Sequence, residues 1–131
     1  MTEQEALQIA EPVVRGVVNC MADRNYEGIT EYASYIEGVT PEKFRNWAEE
    51  FLELNGFSHY DRYGFPNNFQ PQYDKTRYQQ MSIYIYNDGT GFGVEYDLTS
   101  DSELNDLTLI MDFFYNAEGD IKAYIEDLHV L

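Results

Sequence analysis

Few side chains in this sequence could do acid–base or nucleophilic chemistry. Its two imidazoles belong to His59 and His129, and its one thiol belongs to Cys20. Cys20 lies among apolar residues at helical spacing, which is typical of an inert buried thiol, and a lone cysteine forms no internal disulfide. A dyad of His129 with Tyr96 is conceivable, but plain packing of the two side chains is the favoured interpretation. We therefore assign no catalytic residue.

Motifs that hold metal ions or phosphate groups do not occur in recognisable form. His59 lacks metal-ligand spacing with its neighbours Ser58 and Asp61, and one cysteine cannot build a zinc site. The glycines of residues 89–93 belong to a hairpin and not to a phosphate-binding loop. A later run of acids lacks the central glycine of a calcium loop, so a solvated hairpin is favoured over weak cation binding. These acids are Asp97, Asp101, Glu103 and Asp106. The sequence predicts neither a metal nor a cofactor.

The balance of charge argues against two classes of partner. The 131 residues include 24 acids and 8 bases, which gives a formal net charge of −16. Nucleic acid and anionic membranes repel such a chain at long range, so neither is an expected partner. The hydrophobic fraction of 44% is enough for one packed core, and 12 tyrosines account for a mean hydropathy as low as −0.52.

The beginning of the sequence does not look like a targeting or membrane segment. Residues 1–11 carry three acids and no base, unlike a secretory leader, and the apolar stretches of residues 13–18 are too short to span a bilayer. We therefore expect a cytoplasmic protein with a single domain over residues 1–131. Residues 1–56 form its helical half, and residues 57–131 form an antiparallel sheet.

The helical half predicts three helices. Residues 2–5 fit a capping box, and an apolar stripe at helical spacing follows, with a kink or a fresh start at Pro12. A shorter helix fits residues 26–36. Residues 40–56 are the best-marked helix, because a threonine N-cap, a proline in the first turn and an Asn-Gly cap delimit it. Its buried stripe comprises Phe44, Trp47, Ala48, Phe51 and Leu52.

The apolar residues of the second half recur at the spacing of strands. Residues 57–63 could form one strand, and a loop rich in proline and asparagine follows at residues 66–71. Four clearer strands are joined by turns at residues 87–89 and 116–119 and by a longer polar connection at residues 100–105. These strands are residues 78–86, 92–98, 107–115 and 121–130. Short links predict an antiparallel meander, and hence an α+β fold with three N-terminal helices on a curved sheet of four to five strands.

Alternation along the strands gives the sheet two different faces. One face is apolar in every strand, so it must carry the helices. The other face combines acids with aromatic and aliphatic side chains, several of which could form one exposed patch across neighbouring strands. We call this second set the outer face. It comprises Tyr84, Tyr86, Glu95, Asp97, Ile110, Asp112, Phe114, Tyr124 and Glu126.

This order of elements resembles the nuclear-transport-factor-like, or cystatin-like, superfamily, which also holds ketosteroid isomerase and polyketide cyclases. The stretch Ala-Asp-Arg-Asn-Tyr-Glu-Gly-Ile at residues 22–29 is similar to the end of that family's first helix, where an acidic turn leads into the second. The resemblance covers essentially the whole chain. It implies a cone-shaped sheet over the helices, a pocket at the open end and, in many members, a dimer through the convex sheet face. No catalytic residue of the family carries over, because the strand acids lie on the other face.

Acidic charge concentrates where the outer face lies, since residues 87–131 carry 11 acids and 1 base. Aromatic rings beside unpaired carboxylates suit a basic protein, because charge steers the encounter and the rings anchor it. The first hypothesis is therefore a non-catalytic binding protein that presents the outer face to a basic protein partner. In character it resembles bacterial immunity proteins, which block a basic nuclease-type toxin. A surface kept soluble by its charge is the plainer interpretation.

The second hypothesis is a pocket protein of the ketosteroid-isomerase-like superfamily. It would bind or convert a small apolar ligand in the cone between Trp47, Phe51, Tyr96 and His129. A ligand of that kind should raise the melting temperature, because it binds the native state. A homodimer through the outer face is compatible with either hypothesis, although the acids of that face would then meet their own copies.

Overall fold

The computed structural model describes residues 1–64 and 80–130 and confirms the α+β class. Its elements are the helix α1 (Glu3–Ala22), a 3₁₀ helix (Tyr26–Glu31), the strand β1 (Ser34–Tyr35), the helix α2 (Pro41–Asn55) and the strands β2 (Met81–Ile85), β3 (Gly91–Ser100), β4 (Glu103–Tyr115) and β5 (Ile121–Val130). Two predicted features lie outside the described residues: the loop at residues 66–71, and the start, at residues 78–79, of the strand predicted over residues 78–86.

The helix α1 begins as predicted but is not interrupted where a break was expected. The Thr2 hydroxyl accepts the N–H of Glu5, and the Glu5 carboxylate accepts the N–H of Thr2, each at 3.1 Å, so the capping box is confirmed. A kink or a fresh start was expected at Pro12; the helix continues through Pro12, so the fresh start was wrong and the kink stays a prediction. The carbonyl that Pro12 leaves without a helical partner belongs to Gln8, which is exposed and open to water.

Residues 1–56, all of which the structure describes, contain two α-helices where three were predicted. Residues 26–36 form the 3₁₀ helix and then β1, which pairs in parallel with β5 through Ser34 opposite Tyr124 and Tyr35 opposite Ile125. The N–H of Ile36 donates to the carbonyl of Ile125 at 3.1 Å and extends this pairing. A two-residue strand has no periodicity of its own, which is why the sequence predicted one continuous helix here.

The helix α2 has the predicted limits, but its buried stripe is narrower than predicted. The Thr40 hydroxyl caps the N–H of Lys43 at 3.1 Å, and Gly56 ends the helix in the left-handed region with φ of 73°. Phe51 is buried, whereas Trp47 is 40% exposed, so the prediction that Trp47 is a core residue was wrong.

The sheet is mixed, with strand order β1-β5-β4-β3-β2. The meander from β2 to β5 is antiparallel, as predicted, and the turns at residues 87–89 and 116–119 are confirmed. The expected strand at residues 57–63 is reduced to an isolated bridge between Tyr60 and Ser100. The expected long connection at residues 100–105 was also wrong. Asp101 and Ser102, with φ of 50° and 69°, form a tight two-residue turn, and strand pairing resumes at once.

The core lies between the helices and the apolar face of the sheet, on the side that alternation predicted. Buried residues of α1 and α2 pack there with the inward side chains of β3, β4 and β5. Phe92 and Phe113 stack across β3 and β4 with 4.7 Å between ring centroids. Since this face is occupied by the helices, the outer face is the side of the sheet on which the described residues place neither helix.

A pair of tyrosine substitutions should change stability in opposite directions. The Tyr35 hydroxyl is buried without a hydrogen-bond partner among the described residues, and burial raises its pKa to about 12. Tyr35→Phe should therefore raise the free energy of unfolding by about 1 kcal/mol, because it removes an unsatisfied donor. Tyr60→Phe should lower it by about 1 kcal/mol, because the Tyr60 hydroxyl donates to the Ala48 carbonyl at 2.6 Å. Equal losses in urea unfolding of both variants would contradict this assignment.

Candidate functional site

The centre of the outer face is a row of residues that runs across four strands. Tyr84 of β2 lies opposite Gly93 of β3, which lies opposite Asp112 of β4, which in turn lies opposite Tyr124 of β5. Asp112 is 8% exposed although it lies on the solvent side of the sheet. Side chains in adjacent rows must therefore cover it, and they define its chemistry.

Tyr86 crosses the sheet to reach Asp112. Its hydroxyl donates to Oδ1 of Asp112 in a short hydrogen bond that joins the residue after β2 to β4. A Cβ atom on Gly93 would lie 2.6 Å from the Tyr86 hydroxyl oxygen, so the missing side chain of Gly93 leaves the space that Tyr86 occupies. Burial, the bond to Asp112 and the charge of Asp112 together raise the pKa of Tyr86, which stays protonated as a donor.

Asp112 and Glu126 form a coupled pair of carboxyl groups. Glu126 is diagonal to Asp112, two positions beyond its cross-strand neighbour, so the two carboxyl groups lie near each other on one side of the sheet. A hydrogen bond to Asp112, partial burial and the negative charges of Asp112 and Asp127 raise the pKa of Glu126 to about 7. Two neighbouring carboxylates ionise together only at a cost, so Glu126 keeps its proton to a higher pH than an ordinary glutamate does. A group that titrates near neutrality can bind a cation or move a proton.

Aromatic rings surround this acid pair. Phe114 lies between Tyr86 and Tyr124, with ring centroids 6.0 Å and 6.1 Å away. Tyr84 is 51% exposed at the β2 side of the face, and its hydroxyl donates to Glu95 at 3.1 Å. The rings supply apolar contact area next to charge, as protein-binding surfaces do.

The other predicted members of the face lie further along the strands. Ile110 is half-buried opposite Glu95, and Asp97 accepts the Thr108 hydroxyl at 3.1 Å. All nine predicted residues thus occupy one side of the sheet, but the acid pair and its rings form the tightest group. Sequence inspection missed Gly93, whose contribution is the space it leaves.

Within the described part of the chain, the acid pair has no basic partner. The arginine–carboxylate ion pairs there are Arg15–Glu11, Arg24–Glu49 and Arg62–Asp23. Lys122 lies opposite Phe114 on the same side of the sheet, and no ion pair there joins it to Asp112 or Glu126. The raised pKa of Glu126 and the hydrogen bond from the Tyr86 hydroxyl to Asp112 offset the repulsion within the pair.

The predicted pocket is not assembled from its four residues. Trp47 and Phe51 line a shallow groove of about 300 Å³ against the ends of β4 and β5. Tyr96 is buried elsewhere, where its hydroxyl accepts the N–H of Gly64 at 2.8 Å and its ring stacks on Tyr63. His129 lies opposite Thr108 on the side of the outer face.

The position of His129 follows from a β-bulge that alternation alone could not reveal. Ile125 lies opposite Met111 and Asp127 lies opposite Ile110, so Glu126 is an extra residue in β5. The extra residue reverses the side assignment of everything after it, because side chains alternate strictly along a strand. The prediction that His129 shares a face with Ile125 was therefore wrong.

A sequence model of one protein family matches residues 18–131, and its description is "Domain of unknown function (DUF7668)". This span includes α2, the whole sheet and every residue of the outer face. The chain belongs to the DUF7668 family. No curated protein and no solved structure matches it.

This DUF7668 chain contains a second polar cluster, which sequence inspection did not join. His59 Nδ1 lies 2.9 Å from the Ser58 hydroxyl and 3.1 Å from Asp101, and its Nε2 lies 3.3 Å from Asp61. These are residue types of a nucleophilic triad. However, Asp61 also accepts the N–H of Ser102, and Asp101 accepts both the N–H and the hydroxyl of Ser58. We interpret the cluster as a clamp that fastens this segment to the β3–β4 turn.

Two further observations on the DUF7668 chain concern metals and membranes. Over residues 1–64 and 80–130, no three histidine, cysteine, aspartate or glutamate side chains are arranged to hold a metal ion. In the same ranges, neither helix combines the length and the apolar character that crossing a membrane requires.

Proposed function

We propose that this DUF7668 member is a non-catalytic binding protein that presents its outer face to a basic protein partner. One observation carries the proposal. Asp112 and Glu126 are neighbouring acids on one side of the sheet, Asp112 is buried among the rings, and no base of the described residues forms an ion pair with either of them. An arginine or lysine from a partner would take the place of the proton on Glu126 and offset one of the two negative charges of the pair.

The rings around the pair would supply the binding affinity that acidic charge alone does not provide. Acidic charge alone speeds association and is screened by salt, whereas desolvated aromatic contacts slow dissociation. Tyr84 is exposed at one side of the pair, and Phe114 with Tyr124 lies on the other. A guanidinium group that reaches the pair would also lie against ring faces, which favours arginine over lysine.

The proposal includes the finer predictions on fold and location. We propose a cone-shaped sheet of the nuclear-transport-factor-like kind, in a cytoplasmic protein that acts in the manner of an immunity protein. The antiparallel meander and the helices on its apolar face support the fold part of this proposal. A homodimer through the outer face is less well supported than a basic partner, because it would bring two acid pairs together.

Affinity capture with matched variants tests the proposed function. The test variant combines Tyr84→Ala with Glu126→Lys, two exposed positions on the outer face. The control combines Tyr32→Ala with Glu31→Lys, the same residue changes at exposed positions beside α1. The wild type and the control should retain the same basic protein from a lysate of the source cells, released by salt. The test variant should bind the purified partner about a hundredfold more weakly. Equal affinity of the two variants, or a partner that is not basic, would overturn the proposal.

A further inference from the structure

The groove beside α2 exposes apolar side chains that the core does not use. Trp47, Leu54 and Val130 are 40%, 76% and 57% exposed, and all three line the groove. Its floor is built by Phe51 and Leu107, which are buried. Adjacent exposed side chains of this size mark a surface that binds another apolar group.

One wall of the groove is an open sheet edge. β1 covers β5 only at Tyr124 and Ile125, so the rest of β5 has no neighbouring strand on that side among the described residues. The N–H of Leu128 is satisfied by the carboxylate of its own neighbour Asp127, at 2.8 Å. A side chain in this role occupies the place of a strand carbonyl, and open edges of this kind accept an added strand.

The charge of the groove indicates which strand it would accept. Glu50 and Asp127 line it together with the apolar residues, and no base among the described residues does so. A second copy of the chain would bring the same acids and a net charge of −16 against them. An extended segment with alternating basic and apolar side chains would instead place its bases at these carboxylates and its apolar groups in the groove.

We propose that the groove between α2 and the open edge of β5 binds an extended, basic segment of a partner protein by strand addition. The inference rests on the proposed function for the charge of the partner, and it adds a second contact. Asp127 directly follows Glu126, so one partner can reach the outer face and the groove together. The added strand pairs with the backbone of Leu128 and Val130, and one large apolar side chain packs between Trp47 and Leu54.

A synthetic peptide tests this inference without the natural partner. The probe is an end-blocked Lys-Val-Lys-Phe-Lys-Val-Lys, added to the full chain and followed by two-dimensional amide NMR. Two controls are a peptide of the same composition with lysines and apolar residues in separate blocks, and a probe N-methylated at alternate backbone positions. We expect the probe, unlike either control peptide, to shift the amide resonances of Leu128 and Val130. It should also give cross-peaks between its own backbone and the backbone of these two residues.

Protein variants separate this inference from the proposed function. Leu54→Ser should weaken probe binding about tenfold, whereas Leu7→Ser, an exposed leucine on α1, should leave it unchanged. Tyr84→Ala on the outer face should also leave it unchanged. If probe binding is lost in Tyr84→Ala but kept in Leu54→Ser, the groove is not the binding site of the probe, and the outer face is supported as that site. If the probe does not bind, or if sedimentation shows that a second copy of the chain occupies the groove, the inference is overturned. The capture experiment would still decide the proposed function.

Discussion

Replacing Gly91 by alanine should lower the free energy of unfolding by about 3 kcal/mol. Gly91 begins β3 with φ of 150°, a conformation that side-chain-bearing residues rarely adopt. A Cβ atom there would lie 1.8 Å from the carbonyl oxygen of Phe113. The backbone of Phe113 cannot easily retreat, because its ring is buried against Phe92 in the core. Strain and steric overlap therefore act together.

Gly119→Ala is the matched control for this prediction. Gly119 also has a positive φ, of 86°, but nothing lies within 4 Å of an added Cβ atom. Only the conformational strain remains, so the loss should be about 1 kcal/mol. Urea unfolding of the two variants measures both values. Equal losses of unfolding free energy would show that β3 and β4 shift to make room for the added methyl group, and would contradict the prediction.

Binding of the basic partner should tighten about tenfold between about pH 5.5 and about pH 7.5. In the free protein the pKa of Glu126 is raised to about 7, chiefly by its hydrogen bond to Asp112. A partner cation favours the ionised pair and so lowers this pKa in the complex. Binding below pH 7 then releases a proton, affinity rises with pH, and the rise ends above the free pKa. Calorimetry in two buffers of different ionisation heat would measure the released proton.

Two variants test the source of this pH dependence. Glu126→Gln should bind with little dependence on pH, because the titrating group is gone. Asp112→Asn should return the pKa of Glu126 toward its ordinary value of 4.5, which carboxyl NMR would follow. A pH dependence that survives in Glu126→Gln would assign the proton to another group and contradict the role of the acid pair.

The same raised pKa fixes the sign of a stability effect. The folded protein holds a proton on Glu126 between about pH 4.5 and about pH 7, whereas the unfolded chain has already lost it. The native state binds more protons in this window, so its stability falls as the pH rises through it. Because Glu126 is exposed, solvent weakens the effect.

Local signals in the sequence were enough for several features of the fold. Thr2, Thr40 and Gly56 cap helices through bonds between near neighbours, and such patterns can be seen without a structure. The outer face followed from strict alternation together with turns rich in glycine and asparagine. Its members therefore lie on one side of the sheet, as predicted.

Features set by distant contacts were not predictable in this way. The parallel pairing of β1 depends on Ile125, far along the chain, and nothing near Ser34 announces it. One extra residue in β5 moved His129 to the other side of the sheet. The exposure of Trp47 depends on how α2 lies against β5, since its helical spacing is that of a core residue. The coupling of Asp112 to Glu126 likewise needed the cross-strand register.

The pairing of β1 with β5 has a consequence for synthesis on the ribosome. Ser34 and Tyr35 emerge early, but the strand that covers them is made only after β2, β3 and β4. Until β5 leaves the exit tunnel, buried residues of α2 such as Phe51 lack the strand against which that helix packs. Nascent chains should thus remain open to chaperone binding and proteolysis until β5 has emerged from the ribosome.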